Sequence, residues 1–447
     1  MESFLIAVAS MAVVLGVMIL VHEFGHYAAA KAFGVRVDVF SIGFGKRLVG
    51  FRRGVTDYRI SALPLGGYVK MAGENPLESR TGAPDEFMSH PRWQRFVIAL
   101  AGPVMNILLA IVLLTCVYMV HYERPEFFDQ PAVVGWVLDN SPAAKAGIEQ
   151  GDRIVRIDGT HNPTWEDVLL KVMTSPKEQV SIAIQRGNTF LEKQVRPEVE
   201  GSDEYGSIGL EPEQPVTVAE LTPDMPAVKA GLKVNDQIVA LNSTPIRSRL
   251  AIRHYLQQNG AKPVDVTIVR DGKEQHYSVA PVEKEENGQQ GYWLGFLMSA
   301  PPTSVGKLPF GKAISLSLQE NKRYSLLIVD LVRKMVEHKV SIKQMEGPIG
   351  IARASGDAAR QPGWTPLLQL MAMISLNLGI FNLLPIPILD GGIIMLLIIE
   401  ALLRRDISVR IKERIYQTAF VFLVLFAAVV IYNDLMKALP GLAQRLP

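Results

Sequence analysis

The sequence has almost no cysteine and almost no net charge. Cys116 is the only cysteine among 447 residues, so no disulfide can form within the chain, and its place in an apolar run favours plain packing. Lys and Arg number 46 and Asp and Glu number 44, which gives a formal charge of +2. This balance, and the lack of a basic arm with interleaved aromatic residues, argues against nucleic-acid binding. The length is typical of two to four folding units.

Charge is also missing from four long stretches of the sequence. Each stretch reaches or nearly reaches the roughly 20 residues that a membrane-spanning helix needs. A fifth apolar piece, residues 391–399, is too short to span, and we expect a re-entrant or interfacial helix there, or an extension of its neighbour. The four predicted spans cover residues 4–21, 96–120, 367–389 and 415–433.

Basic residues indicate the orientation of these spans. A cleaved signal peptide is an alternative for the first one, because the alanines at 28–30 resemble a cleavage site. A signal peptide has its positive charge before the apolar run, however, and no Lys or Arg precedes Lys31. Residues 27–95 hold eleven Lys and Arg against six acids, and residues 404–414 hold five against two. The positive-inside rule places both segments in the cytoplasm, and residues 121–365 and both termini on the other side.

The long segment between the second and third spans contains a repeat. Residues 141–159 (SPAAKAGIEQGDRIVRIDG) match residues 225–243 (MPAVKAGLKVNDQIVALNS), and the same offset of 84 relates Arg186 to Arg270. Each copy predicts a strand, a short helix that ends at Gly147 or Gly231 in a left-handed conformation, and further strands and a helix. The pattern resembles a PDZ domain in the permuted order of bacterial membrane proteases. The peptide-binding groove of each PDZ domain could bind an extended peptide, or it could stay empty while the domain serves only as steric bulk.

Residues 312–343 carry an amphipathic helical pattern with charges of both signs. The charges exclude a buried span. The helix could lie on the external membrane face or pack under the PDZ pair.

The first apolar stretch ends in a His-Glu-x-x-His motif. His22 and His26 are four residues apart, so on a helix they share one face and can chelate one Zn²⁺. Glu23 lies where it can take a proton from the water that the ion activates. The alternative is two surface histidines and a helix-end Glu that reaches toward water. Three ionisable groups at membrane depth are costly and usually functional, which favours the metal site.

A tetrahedral zinc site needs a third protein ligand, and none follows His26 closely. The candidate is Asp390, the only acid in residues 358–399. Pro385 and Pro387 break a helix just before it, and a broken helix at membrane depth is tolerated where it lines a wet cavity. Asp390 could instead, or in addition, cap the next helix.

Together these motifs resemble the site-2 protease family of intramembrane zinc metalloproteases. The resemblance rests on HEFGH at 22–26, on NxxPxPxxDG at 382–391 and on AGPxxN at 101–106, with the repeat inserted between the second and third spans. It covers essentially the whole chain. It implies His22, His26 and Asp390 as zinc ligands and Glu23 as the catalytic base. It also implies that Asn377, Asn382, Pro385 and Pro387 bind substrate, although each Asn could equally join helices.

Chains of this kind commonly have His at the position of Ile393, so we assign that position no role. The resemblance implies a multi-pass protein of the bacterial inner membrane, with periplasmic PDZ domains and an active site near the cytoplasmic side. Expected substrates are the transmembrane segments of single-span proteins, such as a pre-trimmed anti-sigma factor of the envelope stress response and remnant signal peptides. The PDZ pair would screen substrates by size. Two rivals are a zinc-handling membrane protein without hydrolysis and a non-catalytic PDZ scaffold.

Residues 37–44 and 58–69 are strand-like, with breaks at Pro64 and at residues 66–67. They predict a hairpin-rich sheet beside the zinc helix, whose edge could pair with an unwound substrate. The resemblance implies a membrane-re-entrant element, and an ordinary cytoplasmic sheet is the alternative.

The predicted fold class is therefore a polytopic α-helical membrane protein with four transmembrane helices, a membrane-associated β-hairpin element and two extracytoplasmic α+β PDZ domains. The predicted domains are an N-terminal membrane domain at 1–126, PDZ domains at 127–212 and 213–300, an amphipathic helical linker at 301–365 and a C-terminal membrane domain at 366–447.

Overall fold

The computed structural model describes residues 2–74, 82–201, 203–286 and 289–438. The chain divides into two compact units, and the predicted linker at 301–365 is shared between them. Parts of four predicted domains, at residues 1, 75–81, 202, 287–288 and 439–447, lie outside the described residues. The first unit comprises Met1–Tyr122, Gly306–Lys334 and Met345–Pro447, and the second comprises Glu123–Val305 and Met335–Gln344.

Eleven α-helices occur in the described part of the chain. Four of them are long and apolar enough to cross a membrane, which confirms the four predicted spans: Leu5–Ala32, Arg92–Val120, Thr365–Asn382 and Val409–Lys437. The helices are α1 (Glu2–Ala32), α2 (Arg92–Val120), α3 (Pro142–Lys145), α4 (Trp165–Met173), α5 (Pro226–Ala230), α6 (Arg249–Asn259), α7 (Phe310–Val336), α8 (Pro348–Arg360), α9 (Thr365–Asn382), α10 (Asp390–Leu403) and α11 (Val409–Ala438).

The third span is shorter than its uncharged run. α9 ends at Asn382, because Pro385 and Pro387 lack the backbone N–H that a continuing helix would need. The chain then turns, and α10 begins at Asp390 as a separate helix.

The amphipathic pattern at 312–343 folds largely as α7, which packs against two of the candidate spans. Ser317 Oγ donates a hydrogen bond of 2.9 Å to the Ile111 carbonyl of α2. Tyr324 and Ile328 pack on a buried cluster formed by Ala110, Leu376 and Ile380.

Two long strands in the first unit form the predicted sheet beside the first helix. β1 (Val37–Arg53) and β2 (Thr56–Met71) pair with each other over most of their length. Ile42 faces both Gly67 and Ile60, so the ribbon folds over on itself. In the described part of the chain, residues 67–71 pair only with residues 37–42, which leaves their other side as a sheet edge. The predicted hairpin-rich sheet is therefore confirmed.

The second unit holds two α+β halves built on the same plan. Ile154, Ile157, Ile182 and Ile184 are buried in one core, and their counterparts 84 residues later, Ile238, Leu241, Val266 and Ile268, are buried in the other. The further strands that each copy predicts include β7 and β15, which are related by the same offset of 84. The further strands are β3 (Tyr122–Pro125), β4 (Val134–Val137), β5 (Arg153–Ile157), β6 (Thr160–His161), β7 (Val180–Arg186), β8 (Thr189–Val195), β9 (Glu198–Glu200), β10 (Tyr205–Ser207), β11 (Leu210–Pro212), β12 (Val216–Leu221), β13 (Gln237–Leu241), β14 (Thr244–Pro245), β15 (Val264–Arg270), β16 (Lys273–Val279), β17 (Val282–Glu286), β18 (Gln289–Trp293), β19 (Phe296–Met298) and β20 (Thr303–Gly306).

Corresponding strands occupy corresponding places in the two halves. The first half has the sheet order β6-β5-β7-β8, and the second has β16-β15-β13-β12-β19 with β14 beside β13. Gly147 and Gly231 have φ angles of +73° and +95°, as predicted for residues that end a helix in the left-handed conformation. The repeat in the sequence is thus a repeat of structure.

Each half also contains the same ion pair, in which the carboxylate is buried. Arg186 donates to Asp152 and to the Gly147 carbonyl, and Arg270 donates to Asp236 and to the Gly231 carbonyl. Both carboxylates are only 1% exposed. The pair ties the left-handed helix end to the strand that carries the arginine, which explains why the arginines repeat at the same offset.

Candidate metal centre

The two histidines of the HExxH motif lie side by side on α1. One helical turn separates them, and their Nε2 atoms are 3.2 Å apart. Both side chains are buried, with exposures of 7% and 8%. The helix geometry alone therefore brings two of the three proposed ligand side chains together.

Asp390 completes the group from the first turn of α10. Its Oδ2 lies 3.1 Å from His22 Nε2, and its Oδ1 lies 3.4 Å from His26 Nε2. Among the described residues, His22, His26 and Asp390 are the group of His and acidic side chains that could hold a metal ion. The structure therefore brings together the three residues that the sequence named as ligands.

The spacing of the three ligand atoms suits zinc. Tetrahedral bonds of 2.0–2.2 Å place neighbouring ligand atoms about 3.4 Å apart. The separations here, 3.1 to 3.4 Å, have that size. Two neutral imidazoles and one carboxylate are also a donor set that catalytic zinc sites use.

A tight turn brings Asp390 to the histidines. The Leu383 and Leu384 carbonyls lie 2.3 Å from where a Cβ of Gly391 would be, and the Ile386 carbonyl lies 2.3 Å from that of Gly392. Only glycine fits at these two positions without moving the backbone. Ile388 has a φ of +95°, which a β-branched residue rarely adopts, so the turn before Asp390 is strained.

The other ring nitrogen of each histidine faces α2. His26 Nδ1 lies 2.8 Å from the Ile98 carbonyl, and His22 Nδ1 lies 3.1 Å from the Asn106 amide nitrogen. Between them is Gly102, where a Cβ would lie 2.3 Å from His26 Nε2. The AGPxxN motif supported only the family resemblance and assigned no role to Gly102 or Asn106, although a polar residue one turn after a glycine within an apolar span was a usable signal.

Glu23 lies beside the histidines and contacts the sheet. Its Oε2 accepts a hydrogen bond of 3.0 Å from the backbone N–H of Val69, on the edge strand. Glu23, His22, His26 and Asp390 line one cavity of about 410 Å³. A carboxylate in this position can exchange a proton with a water in the cavity.

The residues predicted to bind substrate are placed differently from one another. Asn382 lines the cavity, as does Ile393. Asn377, Pro385 and Pro387 are not among its lining residues. The two prolines belong to the turn before Asp390, where they shape the backbone.

A protein family and several known proteins match almost the whole chain. The model of Peptidase family M50 matches residues 10–426. The regulator of sigma-E protease RseP of Escherichia coli K12 is 33% identical over 467 residues, covering 98% of this chain and 100% of that protein. The protease RseP of Yersinia pestis is 32% identical over 464 residues, with coverage of 98% and 100%. A Vibrio cholerae protein named as a zinc metalloprotease is 31% identical over 454 residues, with coverage of 95% and 97%.

Among the solved structures that match are single PDZ domains, which cover a small part of the chain. The PDZ domain of the SdrC-like protein of Listeria monocytogenes is 18% identical and covers 19% of this chain and 85% of its own. Its TM-score is 0.17, too low to support an argument about the fold.

Proposed function

This chain belongs to peptidase family M50 and is a membrane-bound zinc metalloprotease, and from that premise we propose that it cuts transmembrane segments of single-span proteins. One observation carries the proposal. The Nε2 atoms of His22 and His26 and the carboxylate of Asp390 lie within 4.8 Å of one another, on the cavity that Glu23 also lines.

His22, His26 and Asp390 are the proposed zinc ligands. A bound Zn²⁺ supplies a Lewis acid that polarises the scissile carbonyl and acidifies a water. The Asp390 carboxylate offsets part of the ion's charge. Both imidazoles are buried, which limits the solvent that can compete with the ion for their nitrogen atoms.

Glu23 is the proposed general base. It sits one residue after His22, beside the ligand atoms but not among them. In the reaction it takes a proton from the attacking water and passes that proton to the leaving amine. The hydrogen bond from the Val69 N–H restrains one carboxylate oxygen and leaves the other for the water.

The sheet edge at residues 67–71 is the proposed place where substrate is held. A substrate helix must unwind before hydrolysis, and its freed backbone groups then need partners at membrane depth. An edge strand offers such partners by β-addition. Asn382, which lines the cavity, can bond a peptide N–H or C=O, and we propose the same for Asn377 nearby on α9.

The two halves of the second unit are proposed as PDZ domains on the periplasmic side of a bacterial inner membrane. Their common plan and their place between the second and third spans support this assignment. They would sterically exclude substrates that have a large domain on the external side of the membrane. A pre-trimmed anti-sigma factor and remnant signal peptides are the proposed substrates, since the relatives from Escherichia coli and Yersinia pestis are both named RseP, the former as regulator of sigma-E protease.

Cleavage of a pre-trimmed anti-sigma factor by the purified full chain and by Glu23→Gln tests the catalytic proposal, with zinc measured in both. We expect Glu23→Gln to keep zinc and lose at least 100-fold in rate, because general-base catalysis contributes about 10²–10⁴-fold. His22→Phe is the matched control and should lose both zinc and cleavage. Undiminished cleavage by Glu23→Gln would exclude Glu23 as the base, and wild-type protein without zinc would exclude the metalloprotease.

Deletion of residues 127–300 tests the size screen. Untrimmed anti-sigma factor should then be cut, while cleavage of the pre-trimmed form stays close to that by the full chain. Equal rejection of the untrimmed form by both proteins would disprove the screen.

A further inference from the structure

We propose that Asn106 is a positioning residue whose side-chain oxygen accepts the Nδ1–H proton of His22 and so keeps His22 Nε2 free to bind zinc. This inference rests on the proposed function, because it concerns one ligand of the same metal site. Neither the HExxH motif nor the Asp390 turn predicts it.

Asn106 and His22 lie within hydrogen-bonding distance of each other, and Asn106 is shielded from solvent. The Asn106 amide nitrogen is 3.1 Å from His22 Nδ1, and Asn106 is 0% exposed. Water therefore cannot replace Asn106 as the partner of this ring nitrogen. In the described part of the chain, the Asn106 amide oxygen has no hydrogen-bond partner.

The tautomer of His22 decides which amide atom faces it. His22 Nε2 lies 3.2 Å from His26 Nε2 and 3.1 Å from Asp390, so it is the ring nitrogen that would bind the proposed zinc ion. A nitrogen that binds zinc carries no proton. A neutral imidazole then carries its proton on Nδ1, where it needs an acceptor. An NH₂ group cannot accept that proton. A half-turn of the amide, which exchanges two atoms of nearly equal shape, brings the oxygen to Nδ1.

His26 has the same relationship with the same helix. Its Nδ1 is 2.8 Å from the Ile98 carbonyl, which can only accept. Ile98, Gly102 and Asn106 follow one another at intervals of four residues on one face of α2. Gly102 has no side chain, which leaves room for both imidazoles. One turn before it the Ile98 carbonyl orients the His26 ring, and one turn after it the Asn106 side chain orients the His22 ring.

A third helix holds Asn106 in place. Ser375 Oγ on α9 donates a hydrogen bond of 2.8 Å to the backbone carbonyl of Asn106, and α9 approaches α2 closely at Gly379. The backbone of Asn106 is therefore held at this place on α2 before any metal binds. Removing an outer partner of a metal-bound histidine typically lowers metal affinity about 10–100-fold.

Zinc affinity of the full chain, measured by competition with a chelator, tests the proposal without relying on activity. Asn106→Leu keeps the size but removes the acceptor, and we expect it to bind zinc about 10–100-fold more weakly. Asn106→Asp keeps an acceptor and loses the donor, and we expect its affinity to stay within a few-fold of wild type. Asn321→Leu is the matched control and should leave affinity unchanged, since Asn321 is also buried, on α7, but does not line the cavity that the ligands share.

The outcomes separate the possibilities. Unchanged affinity in Asn106→Leu, or equal losses in Asn106→Leu and Asn106→Asp, would overturn the positioning role. Zinc-free unfolding temperatures tell whether Asn106→Leu folds; if it does not, Asn106→Ala replaces it with the same expected loss. Wild-type protein that binds no zinc would instead refute the proposed metalloprotease and leave the Asn106 contact without a function.

Discussion

Glu23 on the first helix accepts a hydrogen bond of 3.0 Å from the backbone N–H of Val69 on the edge strand. This one contact joins the proposed general base to the proposed substrate-binding edge. The contact fixes the Glu23 carboxylate relative to the edge strand, because neither can shift without breaking a charge-assisted hydrogen bond.

Val69→Pro should therefore lower activity without removing zinc. Proline lacks the N–H, and an edge strand tolerates it where that N–H does not join the ladder. Loss of a hydrogen bond to a charged group costs about 1.5–3 kcal/mol, so we expect kcat to fall about 10–100-fold. Val69→Ala keeps the N–H and serves as the control. Equal rates in the two variants would show that the bond does not position Glu23.

Gly391→Ala should weaken zinc binding through the backbone alone. The added methyl group would lie 2.3 Å from two carbonyl oxygens, so the turn must move and carry Asp390 away from the histidines. Overpacking of this kind costs about 1–3 kcal/mol, and we expect zinc affinity to fall about 10-fold or more.

Gly16→Ala is the control for that experiment, because a Cβ at Gly16 meets nothing within 4 Å on the same first helix. It should leave zinc affinity unchanged in the same chelator competition. A Gly391→Ala protein with wild-type affinity would mean that the turn can adjust while Asp390 stays in place.

Asp434 on α11 should stabilise the start of α8. Its carboxylate accepts hydrogen bonds of 3.0 Å from the backbone N–H groups of Gly347, Ile349 and Gly350, and it is only 3% exposed. Without it these N–H groups lose their acceptor, so Asp434→Ala should lower the free energy of unfolding by about 2 kcal/mol. Thermal unfolding in detergent measures the effect, with Asp357→Ala on the exposed side of α8 as the control. A similar Tm for both variants would contradict the prediction.

The second half of the repeat should lose stability in acid through Asp236. Burial alone would raise the pKa of Asp236, but hydrogen bonds from Arg270 and the Lys233 N–H, together with the charge of Arg270, outweigh burial and hold the pKa below its ordinary value. A carboxyl with a depressed pKa contributes stability that is present above its unfolded pKa of about 3.9 and is lost as pH falls through the folded value.

Hydrogen exchange at the amides of β13 and β15 measures this effect as pH is lowered. Asp236→Asn should reduce protection at neutral pH and flatten its dependence on acid pH. Glu274→Gln, on the exposed face of β16, is the control and should change neither. An unchanged acid profile in Asp236→Asn would show that another group controls the transition.

Several features could be predicted from the sequence because their causes are local. The length of an uncharged run fixes whether a helix can span the membrane, and four of the helices meet that length among the described residues. The offset of 84 placed Ile154 and Ile238, and Arg186 and Arg270, in equivalent structural positions. The four-residue spacing of His22 and His26 is enough to put both on one face of a helix.

Other features could not be predicted because they depend on contacts between distant segments. Pro385 and Pro387 predicted a helix break before Asp390, but no local signal indicated the strain at Ile388. The sequence also could not tell which of the four residues predicted to bind substrate lines the cavity. Asn382 does, while Asn377, Pro385 and Pro387 do not, and substrate binding by all four stays a prediction.

By itself the sequence determined the helices, the repeat and the identity of the residues that suit zinc, since hydrophobic length, periodicity and side-chain chemistry are written along the chain. Only the tertiary structure decided that Asp390 lies 3.1 Å from His22, that Val69 restrains Glu23 and that Asn106 faces His22. These contacts join segments far apart in the chain. They depend on how α1, α2, α10 and the sheet pack, and close packing is a property of side chains meeting across space, which no run of neighbouring residues specifies.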